Sequence, residues 1–451
     1  MISYLLRFLN KGHERTVKAK KNVLASLIFQ GINKALGFLL VPMALSYLDT
    51  TRYGIWLTVN SITGYLIFFD IGLGSGLRTK FAQAVAEGDK EKARKYVSTT
   101  YAILSLIVIC FIGVLFCVNP LLDWTGILNT DRGFARELQM LAVIVFGFFS
   151  FRMVFQLIST LLLSDQRPAV RELILLITQV LIVAGIFLLM QITSGSLVLL
   201  GLVYSAVPVF VLAAASIFFF SRDYKEYIPS IKYIDLRYYK DLLNLGFKFF
   251  IIKMYVVILL TTDNLIITQL YEPAYVTPYQ IAHRYFFVIV IFFAVLVTPF
   301  WSAVTEAYSK NEVQWIRNAV RKLLKVWVLL LFATAVMLAL SGWVYTIWIG
   351  DRADVPFILS VGMAAFVLLR TLNSPFSSFL NGVGKIKIQM YVSIVVGIIN
   401  IPLSIVLAKY TGLGLSGVIF ATALCLTIPL VFHSIQYNKI INNTARGIWN
   451  R

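Results

Sequence analysis

Acidic side chains are scarce in this chain of 451 residues: 21 Asp and Glu stand against 40 Lys and Arg, with only three histidines and three cysteines. Charged residues together make up 14% of the chain, where a soluble domain carries about 25%. Long hydrophilic segments are missing as well, the longest internal one being 222–241. Each shortage excludes something. Cys110, Cys117 and Cys425 all sit in apolar runs, too few for a disulfide framework and without metal-ligand spacing. No GxxxxGK[ST] sequence occurs. The run Asp70-Ile-Gly-Leu-Gly-Ser-Gly-Leu-Arg-Thr-Lys80 lacks that ending and a strand before it, so it reads as a glycine-rich helix end and direct nucleotide drive is not expected. No grouped acids and bases form a catalytic constellation, and no large extramembrane platform exists to carry one. The reading is therefore of a non-enzyme without a cofactor. The start of the chain places a short apolar stretch before the basic run Lys11, Arg15, Lys18, Lys20 and Lys21. That is the reverse of signal-peptide order, and it suggests an interfacial helix followed by a cytoplasmic anchor.

What the chain has is apolar length. The apolar set reaches 59% and the mean hydropathy is +0.82. A membrane helix needs about 20 mostly apolar residues. Twelve stretches qualify: 22–47, 53–70, 96–118, 138–163, 171–190, 197–221, 242–270, 276–301, 322–347, 355–380, 387–409 and 413–437. The fold class is thus an all-α integral membrane protein. Its expected parts are a cytoplasmic or interfacial segment 1–21, an N-lobe 22–221, a cytoplasmic linker 222–241, a C-lobe 242–437 and a cytoplasmic tail 438–451. With the N-terminus inside, 29 of the 40 Lys and Arg fall on the cytoplasmic side and five on the other. This bias predicts that both termini are cytoplasmic, and it accounts for most of the net charge of +19 without nucleic acid as a partner.

The two halves look like repeats. Leu48–Tyr53 lies 222 positions before Leu270–Tyr275, and Lys95 then falls on Arg317. In spans four and ten an offset of 218 sets Arg152 on Arg370, Leu162 on Leu380 and Arg167 on Lys385. Two pseudo-symmetric six-helix lobes follow, the arrangement of rocking transporters that bind substrate between repeats.

Six basic residues lie inside spans: Lys34, Arg152, Lys248, Lys253, Arg284 and Arg370. A charge at the bilayer centre costs at least about 2.5–3.5 kcal/mol. Asp263 is the only carboxylate deep in a span, so ion pairing cannot neutralise all six. The surplus implies an anionic ligand or a hydrated basic cavity. Helical spacing puts Arg152, Gln156 and Ser159 on one face, and likewise Arg370, Ser374, Ser377 and Asn381. Gln30 and Lys34 share a face beside Gly31, expected to permit close helix approach. Gln280, His283 and Arg284 share another. Lys248 can snorkel to the surface. His283 reads as a packed histidine, and Asp263 either as a coupling carboxylate for H+ or Na+ or as a counter-ion for Lys253.

The stretch from Tyr53-Gly-Ile-Trp56 through Asp70-Ile-Gly-Leu-Gly-Ser-Gly-Leu-Arg78 to Glu87-Gly-Asp89 resembles the Y-G-x-W … D-x-G-x-G-x-G-L-R … G-D pattern of the Wzx-type polysaccharide repeat-unit flippases. These belong to the multidrug/oligosaccharidyl-lipid/polysaccharide (MOP) exporter superfamily, and the likeness of span count and lobes covers nearly the whole chain. The resemblance implies transfer of undecaprenyl-diphosphate-linked oligosaccharides to the periplasmic leaflet of the bacterial inner membrane, for O-antigen or capsule synthesis. It implies a cationic lumen, onto which Lys34, Arg152, Arg284, Arg370 and Lys253 map as substrate-binding residues. The pathway's polymerase and chain-length proteins are the expected protein partners. A monomer is expected, because one chain supplies both lobes. Two rivals remain open: a cation-coupled multidrug exporter of the same superfamily, which would need more carboxylates, and a membrane polymerase or ligase, which would need a long periplasmic loop.

Overall fold

A computed structural model describes residues 14–66, 70, 72–165, 167–239, 254 and 261–450, with side-chain surroundings from residue 24 onward. The helices are α1 (Glu14–Tyr47), α2 (Thr50–Leu66), α3 (Leu73–Ala86), α4 (Lys90–Val118), α5 (Ala135–Phe155), α6 (Leu157–Ser164), α7 (Pro168–Ile192) and α8 (Leu197–Ser221). Then come α9 (261–270), α10 (Val276–Ser309), α11 (Val313–Ile349), α12 (Phe357–Val383), α13 (Lys387–Tyr410) and α14 (Ser416–Ile441). Ten stretches among the described residues are long and apolar enough to cross a membrane. The other two expected spans are α2, whose 17 residues make it short for a span, and span seven, most of which lies outside the described residues.

The chain forms two compact units. The first is Met1–Asp49, Thr63–Ile127 and Asp131–Phe250; the second is Thr50–Ile62, Leu128–Thr130 and Ile251–Arg451. The first part of α2 thus belongs to the second unit, although it comes from the first half of the chain.

Helices in lipid gain little from the hydrophobic effect and associate through close packing and hydrogen bonds. Both are visible. In the second unit a Cβ at Gly362 of α12 would lie 2.6 Å from Ile419 Cγ2 of α14, and one at Gly382 would lie 2.9 Å from Val304 Cγ1 of α10. Only glycine admits these approaches. Several buried hydroxyls are satisfied within their own helices: Thr178 donates to the Ile174 carbonyl at 2.8 Å, Ser216 to Leu212 at 2.8 Å and Thr371 to Val367 at 2.7 Å. That pattern removes the need for a partner helix.

The repeat survives in the packing. Ile158, Leu161 and Leu162 sit in a buried cluster with Leu77, Phe81, Ala93 and Val97 in the first unit. Phe376, Phe379 and Leu380, 218 positions on, sit in a cluster with Val304, Ala307, Ile316 and Val320 in the second. After α3 the chain turns at Gly88 (φ +77°). Asp89 then caps α4, accepting a hydrogen bond from the Lys92 N–H at 2.9 Å. The matching turn in the second unit passes through Asn311 at φ +56°, one of the few residues besides glycine that tolerates that region.

The Asp70 motif breaks the chain between α2 and α3. Asp70 Oδ1 accepts the Gly74 N–H at 3.0 Å, while Gly72 takes φ +81°. A carboxylate at a helix start satisfies an otherwise orphaned donor. The segment 222–239 packs on α3 and α4: Phe81 stacks edge-on against Tyr224 and Tyr227, Tyr96 against Tyr238, and the Arg94 guanidinium lies 4.1 Å from the Tyr233 ring centre.

Candidate functional site

In the first unit the two candidate cations are Lys34 on α1 and Arg152 on α5. Lys34 is exposed and Arg152 half-buried, and neither side chain has an ion-pair partner among the described residues. Gln30 turns its amide to Ser26 Oγ at 3.3 Å. Gly31 does not serve close approach, for a Cβ there would meet nothing within 4 Å. The expected stripe on span four is also interrupted. At Gln156 the helix turns from α5 into α6, and the Ser159 N–H bonds the Gln156 carbonyl at 3.0 Å, three residues back instead of four. The tightened turn leaves Gln156 exposed and Ser159 buried. Periodic spacing placed them on one face, and the local change of helical pitch moves them apart.

The second unit assembles more. Arg370, Ser374, Ser377 and Asn381 of α12 are all half-buried, whereas Thr371, Pro375, Phe376, Ser378 and Phe379 on the other sides are buried. Here the expected polar stripe is intact. The Arg370 guanidinium lies 5.6 Å from the ring centre of Phe287 and 5.9 Å from that of Phe366. His283 stacks on Phe287 at 4.9 Å and leans on Phe366 at 6.0 Å. One aromatic pair thus carries both Arg370 and His283, and Arg370 and Arg284 both lie within electrostatic range of that histidine. An aromatic face attracts a guanidinium through its quadrupole. Phe287 and Phe366 carry no charge or motif that sequence inspection could single out. Arg284 also lies near the buried Tyr53. Lys253 and Lys248 lie outside the described residues.

Asp263 occupies a different place. It is 4% exposed and accepts a hydrogen bond from Tyr279 at 2.5 Å. Thr422 lies 3.4 Å from the same oxygen, and Asn400 donates to Thr422 at 3.0 Å. Asn400 Oδ1 and Ser404 Oγ are buried with no partner among the described residues. The hydroxyls of Tyr279 on α10 and Thr422 on α14 thus meet the carboxylate of α9, and Asn400 of α13 holds Thr422. Next to it, Asn264 accepts from Gln280 Nε2 at 2.7 Å and donates to Ser61 at 2.6 Å. Sequence reading found Asp263 and missed Asn400, Ser404, Thr422 and Asn264, which come from three helices and carry no charge. No group of three or more His, Cys, Asp or Glu gathers among the described residues.

Charges outside the spans hold the connecting segments. Arg167 bonds both Asp165, at 2.7 Å, and Asp223. Asp235 accepts from the Arg237 guanidinium at 2.7 and 3.0 Å and from its N–H at 3.1 Å. Chiefly through that side-chain hydrogen bond, Asp235 is held down at about 2.

Comparison with known proteins agrees with this architecture. Residues 19–305 match the family described as polysaccharide biosynthesis protein, and residues 250–406 match the MatE family. A putative O-antigen export protein of Yersinia pseudotuberculosis is 21% identical over 359 residues, which is 78% of this chain and 80% of that protein. An inward-facing multidrug resistance MATE family transporter of the MOP superfamily superposes with TM-score 0.76 at 14% identity, covering 93% of this chain and 98% of that one. The lipid II flippase MurJ in an inward closed conformation gives 0.71 at 16% identity, covering 93% and 90%. These two share the two-lobe, all-helical MOP fold expected from the repeat. With its family matched over more than half its length, the chain is a multi-pass membrane protein that belongs to the polysaccharide biosynthesis protein family.

Proposed function

We propose that the protein is a flippase that moves undecaprenyl-diphosphate-linked oligosaccharide repeat units from the cytoplasmic to the periplasmic leaflet by alternating access, for O-antigen or capsule synthesis. The observation that carries this reading is the pair of half-buried guanidiniums, Arg152 and Arg370, at matching positions of the repeat. Ionisable residues within membrane spans are costly and mark the paths of substrates or ions. Guanidinium binds phosphate oxygens in bidentate fashion, and the half-buried hydroxyls and amide of Ser374, Ser377 and Asn381 suit a sugar. Lys34, Arg284 and Lys253 are assigned to the same cationic path. The O-antigen export description of the Yersinia relative supports this substrate class.

Asp263 is assigned to coupling. Its carboxylate meets the hydroxyls of Tyr279 and Thr422, so the groups bonded to it are oxygens. Such a set holds a proton or a hard monovalent cation. The pathway's polymerase and chain-length proteins are the proposed partners, and the working unit is a monomer in the inner membrane with both termini cytoplasmic.

The deciding experiment uses a deletion strain of the native host and its complemented control. Lipid-linked oligosaccharides are extracted and their exposure to the periplasm is measured. Single repeat units confined to the cytoplasmic leaflet establish flipping, and their mass identifies the sugar. Normal export turns attention to drug transport, and unpolymerised units already in the periplasm turn it to a polymerase.

A further inference from the structure

Arg370 has a polar neighbour outside the expected stripe. Asn373 lies three residues further along α12, so the two are adjacent on the helix surface, and both are half-buried. His433 Nδ1, on α14, lies 3.0 Å from Asn373 Oδ1. A carbonyl oxygen only accepts, so Nδ1 carries the ring hydrogen and donates it. His433 is 3% exposed, and its Nε2 has no partner among the described residues. With the hydrogen on Nδ1 that atom keeps a lone pair, whereas a hydrogen there would be an orphaned donor. The ring thus has a single N–H, and it is spent on Asn373.

That bond decides which way the amide faces. With Oδ1 held by His433, the NH2 group of Asn373 is turned away from the ring, and it has no acceptor among the described residues. Nearby, Ser377 already spends its hydroxyl hydrogen on the Ser374 carbonyl at 3.2 Å. Asn373 is therefore the oriented neutral donor beside the guanidinium. The two helices are held in register on both sides of the bond. Gly362 of α12 admits Ile419 of α14, and Gln436, one turn past His433, donates to the Lys385 and Trp449 carbonyls at 3.2 Å each. In the first unit the position matched to Asn373 is Phe155, so the second unit alone has this donor.

We propose that Asn373 is a further anion-binding residue, donating its NH2 group to an oxygen of the same anion that Arg370 takes, and that His433 is the positioning residue that keeps it facing that way. The inference rests on the exporter reading, in which the anion is the lipid diphosphate. Ionised phosphate oxygens accept hydrogen bonds. An amide that presents its carbonyl to them repels them, and without His433 nothing selects one face of the Asn373 amide over the other. The proposal sets an order that packing alone does not. A carboxylate at 373 fills the same space and still accepts from His433, yet it meets the anion with charge of the same sign.

The test titrates the full chain in detergent with undecaprenyl diphosphate, and with undecaprenol as the probe that lacks the anion. N373A should weaken diphosphate binding about tenfold, the worth of a hydrogen bond to a charged group, and N373D should weaken it further. H433F should match N373A. H433N, whose amide N–H takes the place of the Nδ1 donor, should recover most of what H433F loses. N373A should add less than about twofold to R370A, because both residues act on one anion. Undecaprenol binding and melting temperature report on folding, and the near-isosteric N373D and H433N decide should the other two variants fail to fold. Binding by N373D as tight as by N373A would remove the anion contact, and H433N no better than H433F would remove the positioning role. If the unaltered protein does not favour the diphosphate over undecaprenol, the exporter reading falls and the inference with it. If that preference exists and R370A abolishes it while N373A and N373D keep it, only the inference falls.

Discussion

Arg152 and Arg370 stand 218 positions apart, each in the fourth span of its half, yet the helices that carry them are built differently. Span four breaks at Gln156 without a proline. Span ten contains Pro375, one position past the matching residue, and continues as a single helix of 27 residues. Arg152 has no ring and no acid beside it among the described residues, whereas Arg370 lies over Phe287 and Phe366 with His283 on the same rings. Packing differs too: a Cβ at Gly147 of α5 would meet nothing within 4 Å, while one at Gly362 of α12 would lie 2.6 Å from Ile419. A repeat can thus preserve the position of a charge and let its support diverge. In one half the guanidinium is presented on a bent helix, and in the other it is propped by aromatic faces on a tightly packed one.

Several variants would break or sharpen that contrast. The largest effect is expected from R152A and R370A, each of which should reduce surface polysaccharide to background while the protein inserts normally. Normal polysaccharide in both strains would remove the two arginines from the site. Next, G362A should lower stability by about 1–3 kcal/mol through overpacking, seen as a lower melting temperature in detergent, and G147A should leave it unchanged within about 0.5 kcal/mol. Equal shifts would show that the two helices are packed alike. The lysine variants come third. R370K should lose more export than R152K, because an ammonium cannot lie flat on two rings as a guanidinium does. F287L should weaken export about fivefold, in line with a cation–π contribution of about 1 kcal/mol, and should add nothing to R370K. The smallest effect lies outside both spans. Asp235 is held at about 2 by Arg237, below the ordinary carboxylate value of about 4. A depressed carboxylate contributes stability above its unfolded value, and that contribution is lost as pH falls through its folded one. Docking of 225–238 should therefore persist at pH 4 and weaken only toward pH 2, as measured by hydrogen exchange corrected for intrinsic rates.

Much of the fold was legible before any coordinates, for a physical reason. A bilayer demands about 20 apolar residues per crossing and forbids irregular backbone in lipid, so span lengths and loop charges are written locally. The offset that pairs Arg152 with Arg370 also pairs Leu162 with Leu380, and each of these leucines sits in a buried cluster of its own unit. The expected stripe on span ten held and that on span four did not, because a helical wheel assumes constant pitch and Gln156 interrupts it. Gly31 was expected at a close approach, and it faces open space.

The sequence by itself determined the number and character of the spans, the excess of cations over acids within them, and the repeat that places Arg152 opposite Arg370 in the numbering. These are properties of composition and period. Tertiary structure alone decided which neutral residues serve them. Phe287 and Phe366 support Arg370 from two helices, and Tyr279, Asn400 and Thr422 gather round Asp263 from three. Only it could show Thr50–Ile62 packing with the second unit. An aromatic ring, an amide or a hydroxyl acquires its role from what lies within a few ångströms across helices, and no one-dimensional spacing encodes that distance.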